Sequence, residues 1–229
     1  YYYIIKKRFC KQLFLYFNKY SFDELKEITI PNSVTRIDEA VFSNCYLLEK
    51  IVIPNSVKKI GAMAFADTKL ESITLPDGIT EIPFGAFEYS SLSSIVLPDS
   101  VTKIDSHAFS STNISSIVIP SGVKEIGLYA FAWSKLTSIT LPDGITEISE
   151  GTFYSCSMLT SVYIPDSVKT IGDTAFDQNH SLTYVHLPKN LKSIGEQAFY
   201  NYGIPMDVYY KGSHAEWDLI SMGDNVVYW

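Results

Sequence analysis

The chain has 229 residues, of which 46% are hydrophobic and 19% are charged, a composition typical of a folded protein. Its formal net charge of −7 argues against general nucleic-acid binding, which needs a basic surface. No apolar run reaches the roughly 18 residues that indicate a transmembrane helix, so we predict no transmembrane segment.

The first twenty residues, Tyr1 to Tyr20, are aromatic and basic and contain no acidic side chain. One interpretation is a cap over the open end of a stack of repeats, whose terminal unit would otherwise expose an apolar face. The alternative is the remnant of a targeting leader or of a membrane-surface segment. The segment lacks a small-residue cleavage site, which favours the cap. We therefore predict a cap or a degenerate leader over residues 1–24.

From Leu25 onward, one unit of 22 or 23 residues recurs eight times, and each copy contains a proline at the same place. A fixed period in this range is typical of a solenoid, in which stacked units share one core. We therefore predict one elongated domain, with repeats over residues 25–204. The marker residues are Pro31, Pro54, Pro76, Pro98, Pro120, Pro142, Pro165 and Pro188.

The residues before each proline predict a short strand. In one copy Leu136, Ile139 and Leu141 stand six, three and one residues before Pro142, and the other copies have Leu, Ile or Val there. The last two positions have a period of two and are rich in β-branched residues, so we expect a strand with one buried face. Proline ends the strand because it cannot donate a hydrogen bond, and turn-forming residues follow it.

The residues after each proline are as regular. A Val, Ile or Leu comes three residues later, and isoleucine and phenylalanine come six and eleven residues later in every copy, as in Ile126 and Phe131. Alanine precedes the phenylalanine in six of the eight copies, which suggests a tight bend that turns the ring inward. We expect a short extended piece followed by a brief helical or 3₁₀ turn.

Cys45 and Cys156 both lie three residues after the repeat phenylalanine, but five repeats apart. If each repeat advances by about 4.8 Å, the two residues are about 24 Å apart. A disulfide needs Cα atoms within about 7 Å of each other. We therefore predict two free, buried thiols.

Residues 205–229 depart from the repeat and predict a C-terminal cap. Met206 to Gly212 resembles a ninth strand, with Val208 and Tyr210 inward and Tyr209 outward. The Ser-x-x-Glu spacing that opens Ser213 to Ile220 is a capping-box arrangement. Trp217 and Ile220 fall on one face of that segment, and Val226 to Trp229 suggests a last short strand.

The repeat unit LxxIxIPxxVxxIGxxAFxxCxxL resembles the BspA-like, or Treponema pallidum type, leucine-rich repeat. The tail VYYKGSHAEWDLI resembles the block that follows such repeats, so the resemblance extends from Leu25 to Trp229. It implies a leucine-rich-repeat solenoid of the α/β class, a right-handed superhelix of short parallel strands. It also implies a secreted or cell-surface protein of a host-associated bacterium or protist that binds other proteins. The family has no common catalytic residue, so none is carried over.

Strand positions that point away from the core line the concave face of such a solenoid. In the middle repeats they are Ser, Thr and Val, whereas Tyr163, Tyr184, His186 and Tyr209 occupy the C-terminal end. Tyrosine is a favoured interface anchor because it offers a large area with few rotors and a polar tip. These four residues are the first candidate binding site. The alternative is that they are ordinary solvated strand residues.

A second candidate patch lies along the convex edge, where Phe84, Tyr89, Tyr129, Trp133 and Tyr154 fall near the bends of consecutive repeats. Exposed aromatic stripes can contact carbohydrate or protein. The alternative is that these rings pack over loops.

An aspartate follows the proline in several repeats. Carboxylates on adjacent strands would stand about 5 Å apart, a spacing that retaining glycosidases use, and they could also bind Ca²⁺. Asn32, Asn55 and Ser121 fill the same position in other repeats, which favours turn capping instead. No nucleophile motif, phosphate loop or zinc spacing is visible, so we predict no metal and no cofactor. The aspartates are Asp77, Asp99, Asp143 and Asp166.

Together these observations predict a non-catalytic interaction or adhesion module of a cell-surface or secreted protein. We expect a monomer that binds a protein or glycan partner, possibly from an extracellular host surface, through its concave face. The alternative is a structural spacer or surface-layer scaffold without a specific ligand. An enzyme is suggested only by the aspartate column.

Overall fold

The computed structural model describes residues 24–224, which form about eight turns of short parallel strands with almost no helix. The predicted solenoid is therefore confirmed. The cap or leader predicted over residues 1–24 and the strand predicted at Val226–Trp229 lie outside the described residues, apart from Glu24.

The strands that precede the prolines, together with one strand of the C-terminal block, lie side by side in three hydrogen-bonded groups and form the first ladder. Their pairing is parallel and in register, so residues at the same repeat position become neighbours; Thr29 pairs with Val52, and Tyr163 pairs with His186. Single bridges from Val118 to Thr140 and from Thr140 to Tyr163 continue the ladder where no full strand forms. The strands are β1 (Glu27–Thr29), β3 (Lys50–Val52), β5 (Ser72–Thr74), β7 (Ser94–Val96), β11 (Ser161–Tyr163), β13 (Tyr184–Leu187) and β15 (Asp207–Tyr210).

The second ladder contains the invariant isoleucine of each repeat. Each of its strands is two residues long. In the eight repeats one exposed or half-buried residue is followed by the isoleucine, which is always buried, whereas the last strand ends in the exposed Met222. These strands are β2 (Arg36–Ile37), β4 (Lys59–Ile60), β6 (Glu81–Ile82), β8 (Lys103–Ile104), β9 (Glu125–Ile126), β10 (Glu147–Ile148), β12 (Thr170–Ile171), β14 (Ser193–Ile194) and β16 (Ser221–Met222).

A third line of backbone hydrogen bonds joins the bends. The amide of each repeat phenylalanine donates to the carbonyl of the residue before the next phenylalanine, as from Phe109 to Ala130 at 2.8 Å and from Phe131 to Thr152 at 2.9 Å. The phenylalanines are therefore fixed in register by their own backbone. We call this line the bend ladder.

The bend is built from turns and not from the helical or 3₁₀ turn expected from the sequence. The residue nine positions after each proline has a φ between 51° and 58° in all eight repeats. Only two of these eight residues are glycines, Gly85 and Gly151. The others include Thr174, a β-branched residue for which a left-handed φ of 51° is sterically unfavourable. Left-handed backbone recurs thirteen residues after the proline, as at Trp133. These residues let alternate amides face the next repeat, which a helical turn would not allow.

The predicted apolar columns form the core. All eight repeat phenylalanines and all eight repeat isoleucines are buried, and only Ile51 and Ile53 among the strand positions are partly buried. Neighbouring phenylalanine rings stack along the bend ladder with centroids 5.1 to 5.7 Å apart and planes within 15° of parallel. One repeat alone exposes both sides of its ring, so burial requires the stack.

Small polar side chains line the inside of the bend, three residues after the phenylalanine. Thr68, Ser90 and Thr112 each donate to the carbonyl of the phenylalanine in their own repeat. Cys156 instead donates to the carbonyl of Phe131, one repeat earlier. Cys45 also occupies this column, and both thiols are buried and form no disulfide within residues 24–224, as predicted.

The C-terminal block continues the ladders beyond the eighth proline. β15 adds a rung to the first ladder, with Val208 and Tyr210 half-buried and Tyr209 exposed, and β16 adds a rung to the second. Between them lies α1 (His214–Trp217), whose N-terminus is held by the predicted capping box of Ser213 and Glu216. The cap boundary predicted at residue 205 stays a prediction.

Candidate functional site

The first candidate site lies on the outward face of the first ladder. Parallel pairing places Tyr163, His186 and Tyr209 side by side on β11, β13 and β15. The ring of His186 packs between the other two, with centroids 4.7 Å apart in each pair and planes tilted by 33° toward Tyr163 and by 40° toward Tyr209. Tyr163 and Tyr209 keep about half of their surface exposed, at 52% and 55%. We call these three residues the aromatic row.

Tyr184 stands beside the aromatic row in the other outward column. It pairs with Ser161 and Asp207 across the ladder and is 44% exposed. The structure thus brings together all four residues of the first candidate site on three adjacent strands.

An ion pair borders the aromatic row and was not predicted from the sequence. The Nζ atom of Lys211 lies 2.7 Å from Oδ2 of Asp166 and 3.2 Å from the hydroxyl of Tyr163. The same ammonium group is 5.8 Å from the centroid of the Tyr163 ring. Lys211 and Tyr163 are 48 residues apart, which is two repeats along the chain. The sequence signals for this contact are weak: Lys211 comes just after β15, and Asp166 belongs to the aspartate column of the turns.

The electrostatics of the row favour a neutral imidazole next to a fixed cation. Burial, and then the positive charge of Lys211, lowers the pKa of His186. Its Nδ1 atom is buried without a hydrogen-bond partner among the described residues, which also disfavours an imidazolium. Hydrogen bonds to Asp166, and then to Tyr163, raise the pKa of Lys211. At neutral pH the row therefore presents a neutral imidazole beside the ammonium group of Lys211.

The face of the first ladder changes character toward the N-terminal repeats. There its outward residues surround a shallow depression of about 530 Å³ lined by strands β3, β5 and β7. Val96 and Val118 are 80% and 84% exposed, and serines flank them. This half of the face offers small, mostly uncharged side chains, so the aromatic row is its chemically distinct end.

The second candidate patch lies at the bends, and the structure brings most of it together. Tyr129 and Trp133 are nearly parallel with centroids 6.1 Å apart, and Tyr154 stands edge-on to both at 6.1 and 5.2 Å. The hydroxyl of Tyr129 donates to Glu150 at 2.9 Å, and Gln178 donates to the hydroxyl of Tyr154.

Two members of this patch differ from the expectation. Phe84 reaches Tyr129 only through His107, whose ring lies 5.5 Å from each of them. His107 was not singled out from the sequence, although it shares the repeat position of Tyr129, nine residues after the proline, in the preceding repeat. Tyr89 is exposed and makes none of the ring contacts found among residues 24–224.

Neither a metal site nor a membrane span is found in the described part of the chain. Residues 24–224 contain no group of three or more His, Cys, Asp or Glu side chains arranged to hold a metal ion. Within the same residues, no helix has the length and apolar character needed to cross a membrane. Of the aspartate column, Asp166 pairs with Lys211.

The sequence pattern described as the BspA type Leucine rich repeat region matches in six copies, over residues 15–135 and 102–211. The chain belongs to this family. The predicted family is therefore confirmed, and the chain is a leucine-rich repeat protein related to bacterial cell-surface proteins. No curated protein is similar enough to be matched to it.

Solved structures of bacterial leucine-rich repeat proteins resemble this one. A leucine rich cell surface protein from Faecalibacterium prausnitzii is 30% identical with a TM-score of 0.62, and the match covers 87% of this chain and 63% of that one. A leucine-rich repeat protein from Bacteroides ovatus is 26% identical with a TM-score of 0.60, covering 90% and 53%. The pneumococcal vaccine antigen PcpA shares the fold at 24% identity and a TM-score of 0.62, covering 80% and 50%. The chain thus spans between half and two thirds of these structures.

Proposed function

We propose that this BspA-type repeat protein is a non-catalytic interaction module, which binds a protein or glycan through the concave face of the solenoid. The observation that carries the proposal is the aromatic row of Tyr163, His186 and Tyr209, with Tyr184 beside it. Three rings in register on adjacent strands are held in place by backbone pairing. A partner that packs against them therefore loses little freedom in side chains that are already ordered.

The chemistry of the row suits recognition of a mixed polar and apolar surface. Each half-exposed tyrosine offers a ring face for packing and a hydroxyl for hydrogen bonding. Lys211 is fixed by Asp166 at the edge of the row and adds one donor of known position. The neighbouring Ser, Thr and Val positions supply a smooth surround that can exclude water from the contact.

The relatives support a location outside the cell. The Faecalibacterium prausnitzii protein is described as a cell-surface protein, and we propose that this chain is likewise extracellular or surface-bound. In that setting the partner is a protein or glycan, including one on a host surface, and the module acts as a monomer. The proposal involves no nucleic acid, cofactor or metal.

The test is binding of the full chain to an array of immobilised extracellular-matrix proteins and glycans. The triple variant Tyr163→Ala/His186→Ala/Tyr209→Ala removes the aromatic row, and we expect its affinity to fall by about 30-fold or more, the loss typical of one interface hot spot. The matched control is Thr74→Ala/Val96→Ala/Val118→Ala, which truncates three residues of the same outward column in the middle repeats. The control should bind like the unmodified chain.

Two results would overturn the proposal. If both triple variants bind as well as the unmodified chain, the binding site lies on another surface. If the chain binds nothing on the array, the structural spacer or surface-layer scaffold is the better description. Thermal unfolding of each variant establishes that lost binding does not reflect lost folding.

A further inference from the structure

The bends carry a second surface whose chemistry differs from that of the aromatic row. It is built on the residues eight, nine, twelve and thirteen positions after each proline, which flank the buried phenylalanine on the bend ladder; we call this set the bend face. Several of its members are buried, including Ala66, Ser110, Ala132 and Asp177. Phe84, His107, Tyr129, Trp133 and Tyr154 form a continuous band of touching rings across it, with centroids 5.2 to 6.1 Å apart. Phe84 and Trp133 remain 42% and 45% exposed.

The bend face is also acidic in six of the eight repeats and contains no lysine or arginine; the two repeats that contribute His107, Tyr129 and Trp133 have no acidic residue on it. The lysines that follow its residues most closely in sequence are Lys69 and Lys135, each two residues after a bend-face position. Its formal charge from Asp and Glu is as large as the net charge of −7 of the whole chain. Basic residues elsewhere thus balance the remaining acids, whereas the acids of the bend face have no lysine or arginine on that face to balance them. The acidic residues are Glu39, Asp67, Glu88, Glu150, Asp173, Asp177 and Glu196.

Three of these carboxylates border the aromatic band. Glu88 Oε1 lies 3.3 Å from Nδ1 of His107, and Glu150 accepts the hydroxyl of Tyr129. Burial, and then the nearby charge of Asp177, raises the pKa of Tyr154. Asp177 is only 5% exposed, and its Oδ1 atom has no hydrogen-bond partner among the described residues. Ring faces and carboxylates are therefore interleaved on one surface.

We propose that the bend face binds a basic, arginine-bearing peptide segment of a partner protein. A guanidinium group stacks on aromatic faces and donates to carboxylates in the same plane, so it uses both features of this surface at once. The negative potential excludes nucleic acids and other polyanions and steers cationic segments toward the face. A neutral glycan would stack on the rings but would gain nothing from the carboxylates.

The probe is a fluorescein-labelled peptide of four Arg-Gly pairs, titrated with the full chain and followed by anisotropy at two salt concentrations. The peptide of four Glu-Gly pairs and a neutral hexasaccharide serve as competitors. We expect the arginine peptide to bind, the affinity to fall as salt rises, and neither competitor to displace it.

Substitutions locate the contact. We expect Trp133→Ala to weaken arginine-peptide binding about two- to fivefold, as for an exposed cation–π contact, and Trp133→Phe to restore most of it. Glu150→Gln should weaken binding about two- to fivefold, chiefly at low salt. Its matched control is Glu147→Gln, the same change three residues earlier on the second ladder, which should bind like the unmodified chain.

Three outcomes would overturn this proposal. They are an arginine peptide that binds no better than the glutamate peptide, equal affinities for Glu150→Gln and Glu147→Gln, and Trp133-dependent binding of the hexasaccharide alone. Each is independent of the aromatic row, because no substitution used here lies on the first ladder.

Discussion

Truncation of one buried ring in the middle of the stack provides a quantitative test of the fold. Phe131 is fully buried, and its ring lies 5.4 Å from that of Phe109 and 5.7 Å from that of Phe153. Phe131→Ala deletes the buried ring and leaves a cavity whose walls are fixed by the bend ladder, so little collapse is available. We expect the free energy of unfolding to fall by about 3 to 5 kcal/mol. That is a large share of the roughly 5 to 15 kcal/mol typical of a folded domain.

The matched control is Phe84→Ala, which removes the same ring from a partly exposed position of the bend face. We expect it to cost about 1 kcal/mol or less. Urea unfolding should be followed by circular dichroism and by tryptophan fluorescence, because a solenoid need not unfold in one step. Equal losses of stability for Phe131→Ala and Phe84→Ala would refute the continuous phenylalanine stack.

Three further changes test particular contacts. Burial raises the pKa of the Cys156 thiol to about 12, so alkylation at pH 8 should spare this residue in the folded chain and modify it in urea, as read by peptide mass mapping. Folding lowers the pKa of His186, so the unfolded chain binds a proton at this imidazole at a higher pH than the folded chain does. The free energy of unfolding is therefore unaffected by this group above its ordinary pKa of 6.5, and it falls as the pH drops from there toward the folded pKa. The urea midpoint of the unmodified chain should therefore drop more between pH 7.5 and 5.5 than that of His186→Gln, and equal drops would contradict the assignment. Asn179→Ala removes a buried hydrogen bond of 2.9 Å to the carbonyl of Phe153 and should cost about 1 to 3 kcal/mol in urea unfolding, whereas Asn190→Ala, which removes an exposed one, should cost far less.

The sequence was sufficient to predict the core because the core is periodic. The isoleucine and phenylalanine columns recur at a fixed spacing, and side chains that repeat in a solenoid necessarily become neighbours. The same reasoning located the aromatic row, since Tyr163, His186 and Tyr209 share one repeat position and lie on consecutive strands.

The bend was not predictable in the same way. Left-handed backbone nine residues after the proline is shared by Ala40, Met63, Tyr129 and Thr174, which have no common local preference for it. The conformation is imposed by hydrogen bonds between repeats, which satisfy backbone groups that would otherwise be buried unpaired. Local propensity therefore suggested a helical turn where the stack selects turns with left-handed residues.

Contacts between different columns were equally hidden. His107 bridges Phe84 and Tyr129 although the two flanking residues occupy different positions of their repeats. Lys211 reaches Tyr163 from two repeats away through the length of its side chain. Such contacts depend on the path of the bend and on rotamers, which a periodic pattern does not specify.

The most direct measurement of the proposed function is hydroxyl-radical footprinting of the chain with the first partner recovered from the matrix array. Oxidation is read at individual tyrosines by mass spectrometry, with and without the partner. We predict protection of Tyr163, Tyr184 and Tyr209, and unchanged oxidation of Tyr46, an exposed tyrosine remote from the row. Unchanged oxidation of Tyr163, Tyr184 and Tyr209, with protection appearing elsewhere, would contradict the proposed site.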